Sequence, residues 1–264
     1  MKKKLKRFGY KLARKYIKWH DGFSYNFEKN GEAWLLHVTS HLDFKCVFDV
    51  GANVGKWTQS ALEQYNDAHI HSFELVKETF ETLQSSIISD RVTLNNCGVS
   101  NDNGEIEYKF YGKDSGVNTI LVQSDYHDKK KTPQIRKADI LKGSDYCKNQ
   151  NIDFIDFLKI DTEGAEHLVL EGFEDLLKAK NVRLVQFEYG YTNGDTKFLM
   201  RDFYDFFAAQ GYKAGRLRNG YVDFSPWSYA LNDFNSGPNY VAIRADDDAL
   251  FECLSQSVET KRAA

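Results

Sequence analysis

From Cys46 onward, short continuous apolar runs alternate with stretches in which apolar residues recur every three or four positions. The first pattern marks buried strands and the second amphipathic helices. It predicts strands at 46–50, 69–73, 92–97, 154–160 and 182–188. Helices are predicted at 56–65, at 77–86, from about residue 165, and at 198–210, where Gly211 ends the run. Glu32 to Ser40 reads as an earlier helix carrying Trp34, Leu35 and Val38. Asn101 to Gly104 is a turn, followed by an antiparallel addition at 106–111. Segments 212–218 and 239–244 read as a late strand pair. Gly112 to Lys137 has no firm period and reads as a long loop, in which the polar stretch Asp114–Thr119 is a candidate lid. Strands alternating with helices indicate an α/β fold, with a mostly parallel sheet covered on both faces.

The first twenty residues differ. Nine cations (Lys2, Lys3, Lys4, Lys6, Arg7, Lys11, Arg14, Lys15 and Lys18) precede the first acid, Asp21. Leu5, Phe8, Leu12, Tyr16 and Trp19 fall three or four apart, on one helical face. Such a helix either packs its apolar face on the domain or lies on an anionic surface such as a membrane.

Composition narrows the classes. The chain has 264 residues, 42% hydrophobic and 28% charged, which is ordinary for a globular protein. Its 35 basic and 38 acidic side chains leave a net charge of −3, so no general nucleic-acid-binding field is expected. Cys46, Cys97, Cys147 and Cys253 form no CxxC pair, and reduced thiols are expected rather than a zinc knuckle or disulfide framework. No apolar run approaches the length of a membrane span, and the basic N-terminus lacks a signal peptide's apolar core. A cytoplasmic protein is expected, with peripheral contact at the inner membrane face as an option. The expected organisation is an N-terminal helical appendage (1–42), one α/β domain (43–250) and a C-terminal tail (251–264).

The chemistry concentrates at strand ends. Asp49-x-Gly51-x-Asn53-x-Gly55 sits where a strand turns into a helix, and ligands of open α/β sheets bind outside the carboxyl ends of strands. A dinucleotide loop would place glycine where Asn53 stands, and glycine or alanine where Lys56 stands. A P-loop is excluded by the spacing. Asp49 would repel a phosphate, so a ligand bearing an ammonium and no phosphate fits better. Glu74 ends the second strand, where an acid can accept both hydroxyls of a ribose. Asp49 for an ammonium, Glu74 for a ribose and a close backbone at Gly51 describe S-adenosylmethionine. Each acid alone could equally be a strand-end cap.

With Val47–Gly55, His71–Glu74, Asn96–Ser100 and, above all, Phe157-Leu158-Lys159-Ile160-Asp161-Thr162-Glu163-Gly164-Ala165-Glu166, the sequence resembles the FkbM family of S-adenosylmethionine-dependent methyltransferases. The resemblance runs from about Phe44 to Tyr191. It implies a Rossmann-like methyltransferase fold, with a seven-stranded sheet whose last strand is antiparallel. It implies O-methylation of sugars, glycans or other secondary metabolites. The residues matching the family's cofactor-binding stretches are Asp49, Gly51, Ala52, Asn53, Gly55, Glu74, Asn96, Cys97, Gly98 and Asp161. Cys97 stands where relatives often carry alanine.

Methyl transfer to a hydroxyl needs orientation of two reactants and removal of one proton. Asp161, leaving the fourth strand, is the first choice for the base. Glu163, His167 and Glu188 are alternates. Asp161, Glu163 and Glu188 are also hard oxygen donors of the kind that ligates Mg²⁺ or Mn²⁺. Asp161 could instead cap the following helix, and His167 could simply be packed. Lys159 either neutralises the acids or snorkels out of the sheet. Tyr221, Trp227, Tyr229 and Phe234 could stack on sugar rings or pack on the sheet.

The expected activity is therefore O-methylation of a sugar hydroxyl, on a glycan, surface polysaccharide or related metabolite that could be lipid-linked. A nicotinamide-dependent oxidoreductase is disfavoured by Asn53 and Lys56. A non-catalytic binding module of the same fold is disfavoured by intact acids at Asp49, Glu74 and Asp161.

Overall fold

The computed structural model describes residues 2–112, 132–234 and 237–256; the candidate lid Asp114–Thr119 lies outside them. Helix α1 (Lys2–His20) is followed by α2 (Glu32–Thr39). The alternating body runs β1 (Cys46–Val50), α3 (Lys56–Gln64), β2 (His69–Phe73), α4 (Lys77–Ser86), β3 (Val92–Asn95), β4 (Gly98–Ser100), β5 (Gly104–Phe110), β6 (Gln134–Lys142) and α5 (Gly143–Gln150). It continues through β7 (Ile155–Ile160), α6 (Glu166–Gly172), α7 (Glu174–Lys178), β8 (Val182–Glu188), α8 (Asn193–Thr196), α9 (Met200–Ala209), β9 (Tyr212–Arg218), β10 (Tyr221–Asp223), β11 (Asn239–Arg244) and α10 (Asp248–Ser255).

The main sheet has the order β10-β9-β11-β8-β7-β1-β2-β3. Strands β3, β2, β1, β7 and β8 are parallel, while β11 runs antiparallel between β8 and β9. The expected seven strands are thus present, and a short eighth, β10, closes a hairpin on β9. The chain reverses direction across the sheet at β1, which lies between β2 and β7. That is the switch point where open α/β sheets form a crevice.

Period-two alternation places the core on both faces. Phe48, Val50, Leu158, Ile160, Val185 and Phe187 pack beneath α6, α7 and α9. Val47, Phe157, Leu184 and Ile243 pack beneath α2, α3 and α10. Asp49 and Lys159 share this second face, one step along from Val47 and Phe157.

Several boundaries differ from expectation. The third strand stops at Asn95, and the residues after Asn96 turn into a separate three-stranded sheet of order β4-β6-β5. Half of β6 falls within the segment read as loop, because its exposed outer positions are charged and weaken the strand signal. The expected tail boundary at residue 250 cuts through α10, whose Leu250 and Leu254 are fully buried. The appendage boundary at 42 likewise fails to separate α2, whose Leu35 and Leu36 belong to the core. Helix α1 is different. Its apolar stripe is not packed away, with Leu5 71%, Phe8 60%, Leu12 52%, Tyr16 62% and Trp19 75% exposed. It is tethered at its end, where Arg216 and Arg218 donate to the carbonyl of Asp21. Among the described residues, no helix is long and apolar enough to cross a membrane.

Candidate active site

A cavity of about 560 Å³ opens at the carboxyl ends of β1, β2, β7 and β8. Its floor is set by a close backbone approach. Gly51 leaves β1 with φ of +83°, and a Cβ there would sit 1.8 Å from the Asp161 carbonyl oxygen. Only glycine permits this crossing. Beyond it, Asn53 and Gly55 also adopt left-handed backbone before α3 begins at Lys56.

Glu74 is buried at the end of β2. Its Oε2 accepts the Asn53 N–H at 2.9 Å and its Oε1 accepts the Val76 N–H at 2.8 Å. The carboxylate therefore holds the glycine loop in place, and each oxygen keeps a further lone pair for a ligand hydroxyl. Burial raises its pKa above the ordinary carboxylate value, with the two N–H groups opposing that rise. Asn96 does not line the cavity; its amide donates to the Glu74 carbonyl at 2.9 Å and ties β3 to the β2 end. Cys97 and Gly98 do line it.

Asp49 is the principal correction. It is fully buried and does not reach the cavity. The ammonium it faces belongs to Lys159, at 3.0 Å, and its other oxygen accepts the Thr58 hydroxyl at 2.7 Å. The side chain points to the helix side of the sheet, with Val47, so a ligand at the strand end cannot touch it. Ala52 and Gly55 are also behind the wall, supplying loop shape rather than contact. Lys159 neutralises acids rather than snorkelling. It bridges Asp49 and, at 3.5 Å, Asp161, and donates to the Gly51 carbonyl at 3.2 Å. Burial works against its charge, but Asp49 and Asp161 more than offset this and raise its pKa above that of ordinary lysine.

Asp161, Glu163 and Glu188 converge on the cavity, with one carboxylate oxygen from each lying within 4.8 Å of the other two. Asp161 caps no helix, since α6 begins five residues later at Glu166. Its side chain is 39% exposed, toward the cavity. Glu163 has φ of +55° and Gly164 follows with +105°. This unusual pair is held by Glu166, whose Oε1 accepts from the Thr162 N–H, the Thr162 hydroxyl and the Gly164 N–H. Glu188 has its pKa raised well above the ordinary value by burial and by the Asp161 and Glu163 charges. Glu163 is raised by burial and by Asp161. The three oxygen donors fit a hard cation such as Mg²⁺ or Mn²⁺.

His167 is not brought to the site. Its ring stacks on Phe198 at 5.1 Å, on the α9 side of α6. Of the four late aromatics, only Phe234 lines the cavity; Trp227 packs edge-on against Tyr229 at 4.9 Å, outside it. Two residues were missed. Glu32 enters from α2, held by Gln186 at 2.8 Å and Asn30 at 2.6 Å. Burial raises its pKa, and Lys159 opposes that. No sequence spacing links it to residues 154 positions away. Glu166 was visible as the last residue of the 157–166 stretch, and its acid at the first helical position was the available signal.

The methyltransferase FkbM domain model matches residues 49–214. The chain belongs to the FkbM methyltransferase family. The matched stretch runs from the end of β1 into the start of β9, and hence includes the Gly51 crossing, Glu74 and the 157–166 stretch. Two relatives are similar at low identity. "Methyltransferase 1" of Beauveria bassiana is 26% identical over 149 residues, covering 50% of this chain and 60% of that protein. The 31-O-demethyl-FK506 methyltransferase FkbM of Streptomyces tacrolimicus is 27% identical over 167 residues, covering 54% and 64%. The chain thus matches less than two thirds of either relative's length. Among solved structures, precorrin-6y C5,15-methyltransferase from Geobacter metallireducens is 11% identical, covering 80% of this chain and 85% of that one, with a TM-score of 0.40.

Proposed function

We propose that the protein transfers a methyl group from S-adenosylmethionine to a sugar hydroxyl, on a glycan, surface polysaccharide or related metabolite. The observation that carries this reading is the pairing of the Gly51 crossing with Glu74 at the switch-point cavity. Glu74 retains lone pairs for a ribose diol, and the glycine loop leaves room for a ligand against bare backbone. The name of the Streptomyces relative, an O-methylating enzyme, supports oxygen as the acceptor atom.

When bound, the cofactor supplies an activated sulfonium methyl. The residues of this chain hold and align. Glu74 holds the ribose, and the acids around Asp161 offset positive charge on the ligand. Asp161, exposed at the cavity, takes the hydroxyl proton or orients the acceptor, and Glu188, which its raised pKa keeps protonated, stands beside it as a hydrogen-bond donor. Asp161, Glu163 and Glu188 would hold a divalent cation if one serves, polarising the hydroxyl in place of a base.

Calorimetric titration with S-adenosylmethionine and with NADH, followed by a labelled-methyl transfer assay on a glycan panel, tests the reading. Binding of the first and methyl ether formation support it. Binding of NADH instead, or cofactor binding without turnover on any hydroxyl acceptor, overturns it.

A further inference from the structure

We propose that α1 docks on an anionic phospholipid bilayer. The helix carries nine of the chain's 35 basic side chains and none of its 38 acidic ones, in a protein of net charge −3. Positive charge is thus concentrated in one element of an otherwise acidic molecule. Arg7, Lys11, Arg14, Lys15 and Lys18, with Tyr10, form one face with a shallow groove. Beside that face runs the stripe of Leu5, Phe8, Leu12, Tyr16 and Trp19, at least half exposed throughout. Cations flanking an exposed stripe that includes tryptophan match the headgroup and acyl zones of an anionic lipid surface.

Other occupants satisfy only half of this surface. Nucleic acid would meet the cations but leave the stripe in water. A second copy of the helix would bring nine cations against nine more. The core-facing alternative would need the stripe buried, and it is not. The helix is also placed to matter. Asp21 fastens its end to β9 through Arg216 and Arg218, and the following Phe23 and Tyr25 line the cavity. Docking of α1 therefore brings the cavity mouth beside the headgroup layer, where a lipid-linked acceptor would be met. That consequence rests on the methyl-transfer reading; the docking itself does not.

The experiment is sedimentation of the full chain with vesicles of phosphatidylcholine alone and of phosphatidylcholine mixed equally with phosphatidylglycerol. Binding is expected to the mixed vesicles only, and to fall as salt is added. The Lys4→Gln, Lys11→Gln, Lys15→Gln triple variant is expected to bind about a hundredfold more weakly. A Leu12→Ser, Trp19→Ser variant should also bind more weakly with every cation retained. Circular dichroism confirms that α1 persists in each. Equal binding to both vesicle types, no vesicle binding, wild-type binding by either variant, or capture by duplex DNA in place of vesicles would overturn the proposal. None of these readouts depends on methyl transfer, so failure here and failure of the enzymatic reading are distinguishable.

Discussion

The Lys159 ammonium lies 3.0 Å from Asp49 Oδ1, across a register pair of β1 and β7, with both side chains buried. The pair joins the two strands that flank the switch point, and Lys159 also donates to the Gly51 carbonyl at the crossing itself. It is the pin on which the cavity floor is set. Lys159→Met leaves a buried carboxylate uncompensated, which costs about 3–5 kcal/mol. The Asp49→Asn, Lys159→Met double variant should recover most of that loss. Urea unfolding of the three proteins measures it, and a Lys159→Met variant as stable as wild type would remove the pair from the structural account.

Glu74→Ala is expected to raise the dissociation constant for S-adenosylmethionine about tenfold to a hundredfold. A hydrogen bond to a charged group contributes about 1.5–3 kcal/mol. Calorimetric titration checks it beside a melting curve, because the same carboxylate holds the Asn53 and Val76 N–H groups. Unchanged affinity would take Glu74 out of the ligand site.

Asp161→Asn preserves size and removes charge. Turnover is expected to fall about 10²–10⁴, the usual share of acid–base catalysis. Cofactor affinity should change far less. Wild-type turnover is expected to persist in a chelator. Loss in the chelator with recovery in Mg²⁺ or Mn²⁺ would reassign Asp161, Glu163 and Glu188 as cation ligands. Full turnover in Asp161→Asn would show that Asp161 is not the base.

Glu188 supplies a pH dependence. Burial and the neighbouring Asp161 and Glu163 raise its pKa in the fold, so the folded chain keeps a proton that the unfolded chain releases. Stability from this group is complete below the ordinary glutamate pKa of about 4.3 and is lost as pH rises from there through the folded value. The melting temperature should therefore fall as pH rises above about 4.3. Glu188→Gln should flatten that fall and melt above wild type once the pH has passed the folded value. Asp247 does not confuse the window, since Arg183 and the Leu250 N–H lower its pKa despite its burial, and that contribution is lost only in stronger acid. An identical slope in the variant would show that Glu188 is ionised throughout.

Much of the fold was legible because it is written in local order. β1, β2 and β8 fall where the apolar runs predict, and α3, α4 and the start of α6 follow the periodicity within a residue or two, while α5 went unpredicted. β6 was lost because the solvent face of its small sheet carries polar and charged residues, which leave little apolar signal. α10 was lost because a two-turn helix at a domain's margin looks like a tail.

The site divides in the same way. Gly51, Glu74, Asp161, Glu163 and Glu188 could be placed from the sequence, because each ends a predicted strand or follows it within three residues, and strand ends of a parallel sheet share one edge. Which way a side chain points was beyond that reading. Asp49 stands in the motif yet faces Lys159 rather than a ligand, since alternation along β1 sends it to the helix-covered face and only the neighbouring strand supplies the partner. Glu32 joins the cavity through Gln186, a contact between distant segments that no local pattern encodes. By itself the sequence determined the alternation of strands and helices and the acids at the strand ends. The packing of β7 and α2 against β1 decided which acids face a ligand and which are consumed in holding the fold, because a buried charge must be paired and only tertiary structure supplies the pair.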